Sequence, residues 1–144
     1  MTWPDFAVAV LAPSPREHVK VDMPCFVPTL FSDGYAHDKS AVAVHAFVLD
    51  VDGASDAEVE VLLGRLVPFS HASYSTYSHR SASHKSGGKN CLRVIVPLAD
   101  PVPAALWKRE AWRRCFAFFG GHLENADHLA CDPSRKYFVP TDDL

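Results

Sequence analysis

Two carboxylates, Asp50 and Asp52, stand one residue apart directly after the apolar run AVAVHAFV (41–48). Residues i and i+2 of a β-strand point to the same side, so both side chains are expected to project together, with Gly53 allowing a close turn behind them. Adjacent carboxylates repel each other unless a positive charge neutralises them, and Mg²⁺ and Mn²⁺ prefer oxygen ligands of this kind. The spacing therefore predicts a metal site. The alternative is that one Asp caps the following helix while the other is solvated.

Positive side chains that could bind phosphate are concentrated in a later segment. HRSASHKSGGK (79–89) contains three basic residues, two His and no acidic residue, and KREAWRR (108–114) is also basic. SGGK does not have the spacing of a P-loop. The formal charge of −3 gives no strong basic field of the kind that indicates nucleic-acid binding, although carboxylates that bind metals count against that total. Positive charge is therefore concentrated locally, although the chain as a whole is slightly acidic.

The elements that must hold these side chains are predicted from hydrophobic periodicity and turn residues. A composition of 48% hydrophobic and 22% charged residues is that of a globular protein, and 144 residues suffice for one domain. Ser55 and Glu58 have the spacing of a capping box at the start of an amphipathic helix. Strands are predicted at 6–12, 18–23, 40–51, 67–76, 91–98 (stopped by Pro97) and 135–140, helices at 54–66 and 100–121, and a flexible loop at 79–90.

This order of elements predicts an α+β fold in which helices flank a mixed or antiparallel sheet. We expect a single domain over 1–144, with N-terminal strands and loops in 1–40 and the residues that carry chemistry in 41–140.

Neither a membrane anchor nor a disulfide framework is predicted. The apolar runs are too short to span a bilayer, and the N-terminus lacks the basic start of a signal peptide, so we expect a cytoplasmic protein with no membrane partner. The four cysteines include no CxxC pair. Cys115, His122, His128 and Cys131 could form a zinc quartet, but the stronger alternative is that Cys115 is a core residue of an apolar helix.

Three motifs follow one another in an order that resembles the archaeo-eukaryotic primase superfamily, in particular its phage and plasmid primase-polymerases. The first is AFVLDVDG (46–53), the second is SYSTYSH (73–79) with the later CLRVIVPLADPV (91–102), and the third is ACDPSRKYFVP (130–140). The resemblance covers roughly residues 41–140. It implies an RRM-like core that makes or extends RNA or DNA in the replication of a mobile element. The implied partners are a single-stranded DNA template, ribo- or deoxyribonucleoside triphosphates, and a helicase domain or protein.

The resemblance also implies a role for each motif residue. Asp50, Asp52 and a third carboxylate would be catalytic and would bind two Mg²⁺ or Mn²⁺ ions; Asp132 is the expected third ligand and Asp127 the alternative. The family's usual second motif places a His on the strand after the loop, whereas here that strand carries Arg93 and the nearest His precedes the loop. The implied nucleotide-binding residues are Ser78, His79, Lys89, Arg93 and Arg135.

Two other functions fit part of the pattern. Haloacid-dehalogenase-like phosphohydrolases also have DxDG after their first strand, and Asp50 would then be the nucleophile. In this chain, however, Ala54 follows the motif where those enzymes have Thr or Val. The other alternative is a non-catalytic nucleic-acid-binding or interaction domain that retains the primase fold.

Overall fold

The computed structural model describes residues 2–12, 24–76, 79 and 87–140 and shows an α+β fold with antiparallel sheets. The strands are β1 (Cys25–Phe26), β2 (Thr29–Phe31), β3 (Ala41–Ala54), β4 (Ala72–Ser75), β5 (Asn90–Pro103) and β6 (Tyr137–Phe138). The helices are α1 (Trp3–Ala9), α2 (Asp56–Leu66), α3 (Ala104–Leu106) and α4 (Trp112–Phe119), with 3₁₀ turns at Asp38–Ser40 and His128–Cys131. No helix in these ranges is long and apolar enough to cross a membrane.

The main sheet has four strands in the order β2-β3-β5-β4, and every neighbouring pair is antiparallel. Its centre is the long pair of β3 and β5, in which Phe47 lies opposite Val96 and Asp50 lies opposite Arg93. β3 is rich in Val, Ala and Phe, and both of its faces are covered, as the continuous apolar run predicts. A second, two-stranded sheet pairs β1 with β6 and so joins the N-terminal part of the chain to residues near its other end.

Alternation along β3 gives the main sheet two different faces. Phe47 and Leu49 point to the helical face, where they pack with residues of α2 and α4 in the larger hydrophobic core. Val48 points to the opposite face and belongs to a smaller core that includes residues of β6 and contacts from α1. Asp50 and Asp52 have the same alternation as Val48. The charged side chains therefore continue the second face, which we call the site face.

Helix α2 forms as its sequence predicts. The Ser55 hydroxyl accepts a hydrogen bond from the backbone N–H of Glu58 (3.3 Å), and the Glu58 carboxylate accepts one from the N–H of Ser55 (2.8 Å). These bonds satisfy donors that the first helical turn would otherwise leave unpaired. Leu62 and Leu66 are fully buried against the sheet, so α2 is fixed both by its cap and by its apolar side.

Strand β3 continues to Ala54, three residues beyond the predicted end. Asp52, which the prediction placed just after the strand, consequently lies inside it together with Asp50. The register with β5 shifts between Asp52 and Ala54, and Gly53 at that shift has φ of 95°, a conformation that favours glycine.

After β4, the strand and the helical region have other end points than predicted. The expected strand end at Pro97 is wrong, because β5 continues to Pro103. β4 pairs with residues 92–95, so Pro97 lies beyond that pairing, where its missing N–H breaks no ladder bond to β4. The helical region begins at Ala104, passes through a π-helical segment (Trp107–Ala111) and ends with α4 at Phe119.

The strand predicted at 6–12 is wrong, because these residues belong largely to helix α1. Thr2 and Asp5 cap one another's backbone N–H groups, and Pro4 lies in the first turn, where a missing N–H costs nothing. Trp3 and Phe6 then pack, at helical spacing, against the smaller core.

Three further predicted strands have different outcomes. The strand predicted at 67–76 is shortened to β4, and the one predicted at 135–140 to β6. The one predicted at 18–23 lies outside the described residues.

Candidate functional site

Asp50 and Arg93 form the centre of the site face. They are direct cross-strand partners on β3 and β5, and Nη2 of Arg93 donates to Oδ2 of Asp50 at 2.7 Å. Both residues are buried, with exposed fractions of 8% for Asp50 and 7% for Arg93. A buried charge is costly unless it is paired, so the two residues depend on each other for burial.

Aromatic rings and a carbonyl hold the Arg93 guanidinium in place. Its carbon lies 5.1 Å from the ring centre of Tyr137 and 5.9 Å from that of Tyr74, and Nη1 donates to the carbonyl oxygen of Phe138 at 2.9 Å. Burial would lower the pKa of Arg93, but the charge of Asp50, the neighbouring Tyr74 and the hydrogen bonds to both together outweigh it and raise that pKa above its ordinary value. Arg93 is thus a fixed positive charge within the face, and its buried Nε has no hydrogen-bond partner among the described residues.

Asp127 joins this group through an edge contact with β3. Residues 125–127 run antiparallel beside Asp50 and Asp52, with Val51 bridged to Ala126. The N–H of Asp127 donates to the carbonyl of Asp50 at 2.9 Å, and the N–H of Asp52 donates to that of Asn125 at 3.0 Å. Directly opposed residues of antiparallel strands share a face, so Asp127 lies on the site face beside Asp50.

A second arginine accompanies the third carboxylate. Nη2 of Arg135 donates to Oδ2 of Asp127 at 2.6 Å. The Tyr137 hydroxyl lies among these charges: burial, and then the negative charge of Asp50, raise the pKa of Tyr137, and Arg135, Arg93 and Asp127 contribute smaller effects. The buried Tyr137 thus lies near two carboxylates and two arginines, and Asp52 follows on the same face of β3.

Asp132, the expected third ligand, contacts a different set of residues. Its Oδ1 accepts hydrogen bonds from the N–H and the hydroxyl of Ser134, both at 2.9 Å, and its carboxyl group also hydrogen-bonds that of Asp38. Sharing that hydrogen bond with Asp132 raises the pKa of Asp38, and burial adds to the rise. Burial works against the charge of Asp132, but the hydrogen bonds from Asp38 and Ser134 outweigh it and lower the pKa of Asp132. Of the two candidate third ligands, the structure brings Asp127 to Asp50.

His79 lies beside the far end of the site face. The backbone N–H of Cys91 donates to Nδ1 of His79 at 3.2 Å, and Cys91 is the cross-strand partner of Asp52. The carbonyl oxygen of Cys91 lies equally close to Nδ1, at 3.2 Å, so Nδ1 accepts from the N–H in one tautomer and donates to the carbonyl in the other. In the tautomer with its proton on Nε2, His79 can donate a hydrogen bond to a phosphate from a position close to the strand that carries both aspartates.

Lys89 lies at the rim of a surface cavity of about 440 Å³ at the start of α2, lined also by Ser55, Asp56 and Asn90. The Asn90 side chain donates to the Ala54 carbonyl (3.2 Å) and to Asp56 (2.7 Å), and so ties the start of β5 to the start of α2. Ser78 and most of the predicted 79–90 loop lie outside the described residues.

The oxygen donors of Asp50, Asp52 and Asp127 fit the preference of Mg²⁺ or Mn²⁺. Within the described ranges, however, no three His, Cys, Asp or Glu side chains are grouped as ligands of one metal ion. Two of the three carboxylates are paired with arginines, so a cation that takes all three as ligands must compete with Arg93 and Arg135.

The residues of the suggested zinc quartet have other contacts. A ring nitrogen of His122, Nε2, lies 3.0 Å from the carbonyl oxygen of Glu58, and the ring of His128 packs on Phe116 with 4.6 Å between centres. Cys115 and Cys131 are partly buried against the larger core. Burial raises the pKa of the Cys115 thiol, as expected for a core cysteine.

Two site residues could not be identified from sequence, namely Tyr74 and Tyr137. Tyr74 lies directly opposite Arg93 on β4, and its hydroxyl donates to the Phe138 carbonyl at 2.7 Å, the same oxygen that Arg93 contacts. The only sequence signal is that each tyrosine lies on a predicted strand, and the strand register that brings them to Arg93 was not predictable.

Comparisons with known proteins do not assign the chain to a family: no family model matches it, and no curated protein or solved structure is significantly similar.

Proposed function

We propose that the protein is the catalytic core of a primase-polymerase that transfers nucleotides on a single-stranded DNA template with the help of Mg²⁺ or Mn²⁺. The observation that carries the proposal is the placement of Asp50, Asp52 and Asp127 side by side on one face of the sheet, with Arg93, Arg135 and His79 adjacent. Three carboxylates for cations and nearby donors for phosphates are the parts that nucleotidyl transfer requires.

The connectivity supports the RRM-like core that the sequence resemblance implies. From β3 onward the chain runs strand, helix, strand, strand, helix and then the edge segment 125–127. In space β3 lies between that edge segment and β5, with β4 outermost, and α2 and α4 cover the face opposite the site. This is the order of a split β-α-β unit of the ferredoxin-like type.

The protein's own residues have distinct roles in this proposal. Asp50, Asp52 and Asp127 would hold the cations, which when bound stabilise the attacking and leaving oxygens of the transfer. His79 and Lys89 donate to the triphosphate, and Arg135 neutralises its charge. Arg93 is buried, and we assign it the role of holding Asp50 in its orientation from β5.

The test is incorporation of labelled nucleotide on a primed single-stranded template with Mn²⁺. Asp50→Asn and Asp127→Asn should each lower the rate at least about a hundredfold, because each removes a cation ligand. Asp132→Asn should retain most activity, since Asp132 contacts Asp38 and Ser134. Asp100→Asn removes an exposed carboxylate from the end of β5 and is the charge-matched control. Full activity in Asp50→Asn, or loss in Asp132→Asn alone, would show that the assignment of ligands is wrong.

A non-catalytic nucleic-acid-binding domain is the second candidate, and the buried Asp50–Arg93 pair favours it, because such a pair can be purely structural. In that case the parent protein would bind single-stranded DNA but transfer no nucleotide. The phosphohydrolase alternative has less support, since its nucleophile would be a buried carboxylate already bonded to arginine. Trapping of a phospho-aspartate at Asp50 with a phosphate analogue would favour it.

A further inference from the structure

The two arginines of the site face differ in how firmly they are held. Arg93 is enclosed, with 8% of its side chain exposed, by Asp50, Tyr74, Tyr137 and the Phe138 carbonyl. Arg135 forms an ion pair with Asp127, and 36% of its side chain is exposed. The first arginine is buried and held by further groups besides its carboxylate, whereas the second is partly open to solvent.

The backbone of Arg135 is anchored while its side chain reaches outward. Its N–H donates to the carbonyl of Asp132 at 3.1 Å, in a turn that Ser134 and Asp132 close through two hydrogen bonds. A guanidinium on a fixed turn can exchange one anionic partner for another by rotation of its side chain alone. Carboxylates and phosphates are the two anions whose geometry suits it.

We propose that Arg135 is an exchangeable counter-ion of the site, an inference that rests on the proposed function. Without ligands it neutralises Asp127 and competes with any divalent cation for that carboxylate. When a cation bound to a nucleoside triphosphate enters, Arg135 leaves Asp127 and pairs with the phosphates. A bare cation must therefore displace Arg135 without compensation, whereas the cation–nucleotide complex supplies the arginine with a new partner.

The inference predicts that one substitution, Arg135→Gln, changes the affinities for bare Mn²⁺ and for its nucleotide complex in opposite directions. Arg135→Gln removes the competing charge, so bare Mn²⁺ should bind about tenfold more tightly, as expected when a unit charge a few ångströms from the ion is lost. The same substitution removes a phosphate contact, so the Mn²⁺ complex of a non-hydrolysable deoxynucleoside triphosphate should bind about tenfold more weakly. A purely structural arginine would shift both affinities in the same direction.

The full chain is titrated with Mn²⁺ and with the Mn²⁺–nucleotide complex. Binding is monitored by calorimetry and, for bare Mn²⁺, by the electron paramagnetic resonance signal of the free ion. Arg113→Gln removes an equal charge from the exposed side of α4, on the helical side of the sheet, and corrects for the change in net charge. Arg135→Lys keeps the charge and should leave bare Mn²⁺ affinity close to that of the parent. In Asp127→Asn, adding Arg135→Gln should give no further gain in Mn²⁺ affinity, because the carboxylate for which the arginine competes is absent.

The outcomes separate this inference from the proposed function. If the parent incorporates nucleotide while Arg135→Gln binds bare Mn²⁺ as the parent does, the counter-ion exchange is wrong and the function stands. A gain of Mn²⁺ affinity that persists in the Asp127→Asn background also overturns the exchange. If the parent neither binds Mn²⁺ nor incorporates nucleotide, both proposals are wrong.

Discussion

The two faces of the main sheet use the same pair of long strands in opposite ways. On the helical face, Phe47 and Leu49 of β3 are completely buried and pack among the apolar side chains of the larger core. On the site face, Val48 is just as buried, but two residues further on Asp50 replaces an apolar residue and requires Arg93 opposite it. Neighbouring residues of β3 therefore serve different purposes: those on the helical face stabilise the fold, and Asp50 on the site face carries charge.

This difference indicates how a small domain can maintain a costly charged cluster. Removing a carboxylate and a guanidinium from water costs several kilocalories per mole, and their attraction returns that free energy only when the geometry is good. The helical face contributes apolar burial without any such cost, at roughly 25 cal/mol for each Å² removed from water. Substitutions on the two faces should consequently differ in how much they lower the free energy of unfolding, and in whether a second substitution can restore it.

The largest effect is expected on the helical face. Phe47→Ala removes a fully buried ring that stacks on Phe119 at 5.7 Å between centres, and should lower the free energy of unfolding by about 3–5 kcal/mol. Urea unfolding followed by circular dichroism measures the change. Val42→Ala, on the same strand but 47% exposed, is the matched control and should cost less than about 1 kcal/mol. A small effect of Phe47→Ala would mean that the helical face is not the main source of stability.

The next largest effect is expected from breaking the Asp50–Arg93 pair on the site face. Arg93→Met leaves Asp50 buried without its partner and should cost about 3 kcal/mol. Combining it with Asp50→Leu replaces the pair by apolar side chains, as on the other face, and should recover most of that loss, although activity stays absent. The comparison requires unfolding curves for both single variants and the double variant. Simple addition of the two single losses would show that the residues are not energetically coupled.

Local signals in the sequence were sufficient for those parts of the fold that depend on neighbouring residues. The Ser55–Glu58 cap and the apolar run of β3 both specify their elements within a few residues, and the structure has both. The strand predicted at 6–12 was wrong because a short apolar run is compatible with either periodicity, and the cap formed by Thr2 and Asp5 decides for a helix.

The site was only partly predictable, because its remaining members depend on contacts between distant segments. Strand alternation placed Asp50 and Asp52 on one side, as the structure has them. The sequence did not predict that the register of β3 and β5 sets Arg93 opposite Asp50 and pairs the two charges. The choice between Asp127 and Asp132 depended on the bridge of Val51 to Ala126, for which no local pattern exists.

The smallest expected effect concerns the contact that ties the helical side to the edge segment of the site. Hydrogen bonds from the hydroxyl and the N–H of Ser55, and from the N–H of Glu124, lower the pKa of Glu58 from its ordinary 4.5 to about 2. Because the pKa is lower in the folded protein, ionised Glu58 stabilises the fold above about pH 4.5, and this contribution is lost as the pH falls toward 2. Glu58 lies at the surface with its side chain partly exposed, and solvent screens its interactions, so the contribution should not exceed about 1 kcal/mol.

The measurement compares urea unfolding of the parent and of Glu58→Gln between pH 7 and pH 2.5. The parent should be the more stable at pH 7, and the difference should shrink steadily below pH 4.5, because the protonated carboxyl resembles the amide. Glu60→Gln, an exposed carboxylate on the same helix, is the control, and its difference from the parent should change less with pH. Glu58 also anchors Glu124, three residues before Asp127, so Mn²⁺ affinity in Glu58→Gln should fall slightly if this tie helps to place the third carboxylate. A difference in stability that stays constant with pH would show that Glu58 acts through packing and not through its charge.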